Sequence, residues 1–169
     1  TWDLTKPAWK RRIGIAPTNA SFQAFVAVMR IVHGEARTRD WLVGVKANAP
    51  KFYSGNTQVV QAVASGEVYL GLVNHYYLHN LRAQTPTMPV ENHFLGKGDP
   101  GALVNAAGAG ILTSTGKSVA AQRFVDFLLS KWAQRFIARG PGGAEYPLVR
   151  GVTPRPGLPK LGEIKGPEI

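Results

Sequence analysis

Six consecutive residues, Val68-Tyr69-Leu70-Gly71-Leu72-Val73, carry no charge and almost no polarity. Six residues are too few for an independent helix and about the length of a strand. A continuous apolar run, rather than an alternating one, is how a strand buried on both faces of a sheet reads, and such strands belong to parallel sheets covered by helices. Directly behind it stand Asn74-His75-Tyr76-Tyr77, opening a helix expected to reach about Arg82. Strand feeding helix argues for an α/β fold, a sheet flanked by helices, and open α/β sheets bind ligands at the carboxyl ends of their strands.

The same alternation is visible earlier. Arg12 to Ala16 reads as a brief strand stopped by Pro17, with Thr18 or Asn19 as N-cap of a helix. Phe22, Phe25, Val26, Met29 and Val32 follow the helical i, i+3, i+4, i+7 spacing on that helix. A second helix follows from about Glu35 to Lys46, with Trp41, Leu42 and Val45 facing inward. Lys51-Phe52-Tyr53 is a short extended piece, and Ser54-Gly55-Asn56 caps a helix carrying Val59, Val60 and Val63. Glu91 to Leu95 and the small-residue stretch Leu103 to Leu112 are expected as further strands, and Gly96 to Gly101 as a hinge. Two more helices are expected, from Gly116 to about Leu129 and from Trp132 to Ala138. The tail from Gly151 alternates prolines, glycines and charges and reads as surface-bound.

Composition narrows the function classes. The 169 residues are 44% hydrophobic and 18% charged, which suits a folded domain with a real core. No apolar run approaches the ~18–20 residues that cross a bilayer. Thr1 to Arg12 lacks the pattern of a signal peptide, so a cytoplasmic protein, or a mature or truncated form, is expected. With no cysteine, disulfides, thiolate metal sites and cysteine nucleophiles are excluded. Net charge is +10, from 20 Lys+Arg against 10 Asp+Glu, but the charges are scattered and the densest cluster is only Lys10-Arg11-Arg12. Nucleic acid is therefore not expected as a partner, although a basic nucleic-acid-binding module is one alternative.

Three motifs carry chemistry. His75 and His79, four apart, could share a helix face as zinc ligands of a hydrolase. The glutamate of a His-Glu-x-x-His motif is missing, however, because Tyr76 stands there. Tyr76 and Tyr77 could simply pack a helix on a sheet, but adjacent helical side chains diverge by about 100°, so both are not expected to be fully buried. A phenol, with its pKa near 10, ionises at neutral pH only beside a strongly charged cation, which suits ferric iron better than zinc, magnesium or calcium. Finally, Asn19-Ala20-Ser21 and Asn56-Thr57 open helices just after strands. Each is an ordinary N-cap on its own. Together with the amides of Asn56 and Asn74, they make a shared anion pocket credible.

The order of these motifs resembles the periplasmic ferric-binding proteins, iron(III)-carrying solute receptors of ABC importers within the type 2 periplasmic-binding-protein class. The resemblance rests on Trp9 to Gly14 with Pro17-Thr18, Gly34-Glu35-Ala36, Trp41-Leu42, Asn56, Asn74-His75-Tyr76-Tyr77, Asp99 to Leu103 and Ala144 to Leu148. It implies that Tyr76 and Tyr77 ligate Fe(III), and that a synergistic phosphate or carbonate is held by Asn19, Ala20, Asn56 and Asn74. This chain has Asn19-Ala20 where the family pattern is Ser-Gly. It corresponds to roughly the C-terminal half of such a receptor, so the ligands of the opposite lobe would come from a missing N-terminal segment, in the same protein or a partner chain. By the same resemblance, residues 1–100 form the tyrosine and anion lobe. Residues 101–157 then cross the hinge into the other lobe, and 158–169 return. The implied partner is an ABC permease of the inner membrane, and the implied location is the periplasm or a lipid anchor at the outer face of the membrane. A receptor of the same fold for a small oxyanion is the nearest alternative, needing the helix N-termini but not the tyrosines.

Overall fold

The computed structural model describes residues 1–164 and 166 of the chain. Its centre is a parallel sheet of three short strands in the order β2-β1-β3. These are β1 (Ile13–Ile15), β2 (Lys51–Phe52) and β3 (Leu70–Gly71). Gly14 pairs with Lys51 on one side and Gly71 on the other. Backbone bonds from Tyr53 N to Ile15 O (2.9 Å) and from Leu72 N to Gly14 O (3.2 Å) extend both ladders.

The strand buried on both faces is β1, whose three residues are all buried, and not the apolar run at Val68 to Val73. That run pairs over only two residues and lies at the edge of the sheet. Val68 is buried against the core, while Tyr69, 65% exposed, faces outward beneath the Arg12 guanidinium, 4.7 Å from its ring centre. Leu70 and Leu72 pack partly against the core of the first two helices, and Gly71 on the other face lies against Val59.

Helices close over the sheet. Asn19 has extended backbone and its side-chain oxygen accepts from Ser21 N, so it caps α1 (Ala20–His33) as a capping asparagine should. Gly34, at φ 83°, makes the sharp corner into α2 (Glu35–Ala47), a conformation that side-chain-bearing residues rarely adopt. Met29, Trp41 and Val45 from these helices bury against Leu4, Ile13 and Ile15, with Trp2, Trp9, Phe22, Phe25 and Leu42 around them. The N-terminal 3-10 turns, Trp2–Thr5 and Pro7–Trp9, are tied in by polar bonds: Trp41 Nε1 donates to Thr1 O, and buried Asn48 donates to Leu4 O and Lys6 O. On the far side α3 (Asn56–Ala64) presents Val59 and Val60 to the sheet, and α4 (Tyr76–Arg82) buries Leu78.

Two expected strands do not form among the described residues. The stretch 91–95 is extended but unpaired. Its surroundings are fixed by side chains: Arg82 binds the carbonyls of Met88 and Val90 and the carboxylate of Glu91, and Asn92 Nδ2 donates to His75 O (2.9 Å). Residues 103–112 also lack a ladder, and Val104, Ile111 and Leu112 are exposed. Small residues such as Ala106, Ala107 and Gly108 bury too little to hold an unpaired strand in place.

The expected C-terminal helices are present as α5 (Ser118–Leu128) and α6 (Lys131–Arg139), the latter capped by Ser130 Oγ. No residue of α5 is buried, and an aromatic ridge runs across both helices. Trp132 and Phe136 stack in parallel at 5.9 Å with Phe127 tilted against Trp132, yet Trp132 is 65% and Phe136 58% exposed. The returning tail proposed for 158–169 falls partly outside the described residues, at positions 165 and 167–169. Among those described, no helix is long and apolar enough to cross a membrane.

The closest backbone approach in the sheet is testable. A Cβ on Gly71 would collide with Val59 Cγ1. Gly71→Ala is therefore expected to cost about 1–3 kcal/mol in urea unfolding, with Val59→Ala in the same chain recovering part of the loss. An unchanged unfolding midpoint would contradict the packing described for β3 on α3.

Candidate functional site

Because the three strands are parallel, their carboxyl ends lie along one edge, and the chain turns there into α1, α3 and α4. The three asparagines that follow the strands meet at that edge. Asn19 Oδ1 accepts from Ser21 N (2.9 Å) and from Ser21 Oγ (2.6 Å). Asn56 Nδ2 donates to Ser21 Oγ (3.4 Å) and to Asn74 Oδ1 (3.2 Å). Asn56 is only 2% exposed, whereas Asn19 and Asn74 are half-buried and reach the surface. Residues 55 apart in sequence thus form one continuous polar chain, with Ala20 at the first position of α1 beside it. The early N–H groups of α1 and α3 have no intrahelical partners and point toward this edge with the positive ends of their helix dipoles.

Tyr76 and Tyr77 begin α4, immediately beyond Asn74. Their rings do not splay but stack, with centres 4.7 Å apart and planes inclined by 30°. Both are half-buried, so neither is swallowed by the core. Burial pushes the Tyr76 phenol up to about 12, helped by the neighbouring Tyr77 charge and hydrogen bond and by the Glu145 carboxylate. At neutral pH the unliganded phenol therefore holds its proton firmly. A concentrated positive charge is what would displace it, since such a charge reverses the local pKa balance.

The histidines belong to a different arrangement. His75 Nε2 lies 2.7 Å from Ala144 O, so its ring binds the segment after α6 rather than pairing with His79. Its ring meets Tyr76 edge-on at 5.8 Å and lies 5.7 Å from Tyr146, whose hydroxyl donates to Pro159 O. His79 is 6.5 Å from His75 between ring centres, and burial with nearby Arg155 lowers its pKa. Among the described residues no group of three His, Cys, Asp or Glu is placed to hold a metal ion.

Two roles evident here escape sequence reasoning, that of Ser21 and that of His75, which the sequence offered only as a zinc ligand. Ser21 links Asn19 to Asn56, and its signal was modest, a hydroxyl two positions after an N-cap asparagine. His75 anchors the start of α4 to Ala144, 69 residues away, a distance at which no local pattern speaks.

The fold is that of a solute-binding protein. The chain belongs to the bacterial extracellular solute-binding protein family, whose model matches residues 1–157. The family is one of binding proteins rather than enzymes, which sets the zinc-hydrolase reading aside. Among its relatives, the major ferric iron-binding protein of Neisseria meningitidis serogroup B is 36% identical over 165 residues, spanning 96% of this chain and 49% of that protein. The Fe(3+)-binding periplasmic protein of Serratia marcescens is 32% identical over 169 residues, spanning 99% and 49%. In structure the chain is similar to iron-bound HitA from Pseudomonas aeruginosa, with TM-score 0.91 and 35% identity over 99% of this chain and 54% of that one. Apo FutA2 from Synechocystis PCC6803 gives 0.74 and 31% over 98% and 55%. The fold is therefore the periplasmic-binding-protein type, and the chain spans about half the length of the curated relatives it matches.

The coupling of the tyrosines has a spectroscopic consequence. In an ultraviolet titration without metal, Tyr76 should ionise near 12, well above the ordinary tyrosine value. Tyr77→Phe removes two causes of the shift, the neighbouring charge and the hydrogen bond, but not burial, the largest. It should lower the Tyr76 midpoint while leaving it above the ordinary value. A Tyr76 midpoint at the ordinary value in the unsubstituted chain would refute the half-buried stacked pair.

Proposed function

We propose that this chain is the phenolate-bearing half of an Fe(III) receptor that captures its cargo by binding, without catalysis. The observation that carries the proposal is the meeting of Tyr76-Tyr77 with the Asn19–Ser21–Asn56–Asn74 chain at one sheet edge. Tyr76 and Tyr77 supply two hard anionic oxygens to Fe(III), which prefers such donors to the imidazole and thiolate ligands that suit softer ions. Asn19, the Ala20 N–H, Asn56 and Asn74 hold a synergistic phosphate or carbonate that completes the shell and offsets the charge of the ion. Relatives named for ferric iron and a neighbour solved with iron bound support this reading.

The remaining ligands come from the half of the protein that this chain does not span. The exposed ridge of Phe127, Trp132 and Phe136 supports that division, because a contiguous exposed apolar face marks a contact surface. In this reading residues 1–100 are the tyrosine and anion lobe, 101–157 cross to the other lobe, and 158–169 return. Lobe closure excludes water from the ion and creates the surface recognised by an ABC permease in the inner membrane. The protein works in the periplasm, free or held by a lipid anchor at the outer face of the membrane.

Iron supplied as a nitrilotriacetate chelate, with phosphate, tests the proposal on this chain, because the chelator occupies the positions that the other half would fill. A visible phenolate-to-iron band is expected, weakened in either single Tyr→Phe variant and absent from the double variant Tyr76→Phe, Tyr77→Phe. Loading displaces phenol protons at every pH below the Tyr76 value of about 12, so affinity falls as pH falls. With two protons released, the loss approaches about 100-fold per pH unit. An undiminished band in the double variant would sink the assignment. Phosphate binding without any band would favour the small-oxyanion receptor instead.

A further inference from the structure

The amide chain at the sheet edge has a direction, and one backbone group sets it. Ser21 N–H can only donate, so the atom of Asn19 that faces it at 2.9 Å is the acceptor Oδ1. The same Oδ1 lies 2.6 Å from Ser21 Oγ, and because an amide oxygen cannot donate, the serine hydroxyl must. With its only hydrogen committed, Ser21 Oγ can serve Asn56 only as acceptor, which turns Asn56 Nδ2 toward it at 3.4 Å, the longest link in the chain. That Nδ2 in turn requires Asn74 to present Oδ1, at 3.2 Å. The two outer amides are left with Nδ2 free. Among the described residues, neither Asn19 Nδ2 nor Asn74 Nδ2 donates to protein.

We infer that Ser21 is the positioning residue of the anion site: its backbone N–H holds Asn19, and its hydroxyl orders Asn56 and through it Asn74, so that both outer amides present N–H donors to a bound oxyanion. Asn56 is 2% exposed, so water has little access with which to set its orientation. Its two amide ends differ little in shape, so its partners alone decide which end faces Asn74. Remove the serine hydroxyl and Asn56 can turn over, placing Oδ1 toward Asn74 and reversing that amide as well. The outer edge then shows an acceptor where it showed a donor, and an anion meets repulsion in place of a hydrogen bond. Neither Asn56 nor Ser21 need touch the anion for this to happen. The inference rests on the anion-binding part of the proposed function and is independent of the tyrosines.

The test uses the whole chain and inorganic phosphate, without iron, in the unsubstituted protein, Ser21→Ala and Ser21→Thr. Alanine is favourable early in a helix, so the first variant should fold, and unfolding midpoints check that it does. Ser21→Ala should bind phosphate about tenfold or more weakly, the effect of one reversed hydrogen bond, and Ser21→Thr should restore binding. Side-chain amide spectra give the orientation directly. In the unsubstituted chain both Asn56 Nδ2 hydrogens should exchange slowly, and phosphate should shift the amide signals of Asn19 and Asn74. In Ser21→Ala the Asn56 protection should be lost. Unchanged phosphate affinity in Ser21→Ala, equal losses in the alanine and threonine variants, or no phosphate binding at all would each overturn the inference. Iron loading is read separately by the phenolate band. A normal band with an inert Ser21→Ala rejects only the role of Ser21, and a missing band with the expected phosphate losses rejects only the iron reading.

Discussion

Parallel pairing on both sides of β1 is the constraint on which the rest of the molecule depends. Seven strand residues in all make the sheet, yet their common direction decides where everything chemical goes. Each strand ends at the same edge, each is followed by a helix start, and each junction carries an asparagine. Antiparallel pairing would send at least one junction to the opposite edge and separate one of the three asparagines from the others. The parallel sheet in turn depends on burial of β1, packed by Met29, Trp41 and Val45 on one side and contacted by Val59 and Val68 at Gly14 on the other.

Much of this architecture is legible in the residues. The helical spacing of Phe22 to Val32, the caps at Asn19 and Gly34 and the turn at Ser54-Gly55 mark local preferences that the tertiary structure keeps. What fails is strand placement. Apolarity at Val68 to Val73 and at Leu103 to Leu112 signals a surface to be covered but does not name the partner. One run becomes a two-residue edge strand, and the other has no ladder at all. The candidate site divides the same way. Asparagines and tyrosines at helix starts announce themselves, because their positions follow from local rules. Ser21 and His75 do not, because their importance lies in contacts with residues distant in sequence.

The electrostatic character of the site follows from its burial. A phenol pushed up to about 12 is a poor ligand for a weakly charged ion, since the proton competes too well. It becomes a good ligand only when the incoming charge is large enough to outweigh both the proton and desolvation. Stacking the two rings sharpens this discrimination, because the second phenolate forms beside the first and also needs the cation. The adjacent chain of amides has the opposite electrostatic character, since it lies beside the positive ends of two helices.

Resonance Raman spectroscopy with excitation in the visible band of the iron-loaded chain tests the central claim most directly. The account predicts enhanced tyrosinate ring modes, altered when deuterated tyrosine is incorporated and lost when Tyr76 and Tyr77 are both phenylalanine. Bound iron without tyrosinate modes, or modes that survive the loss of both residues, would contradict it.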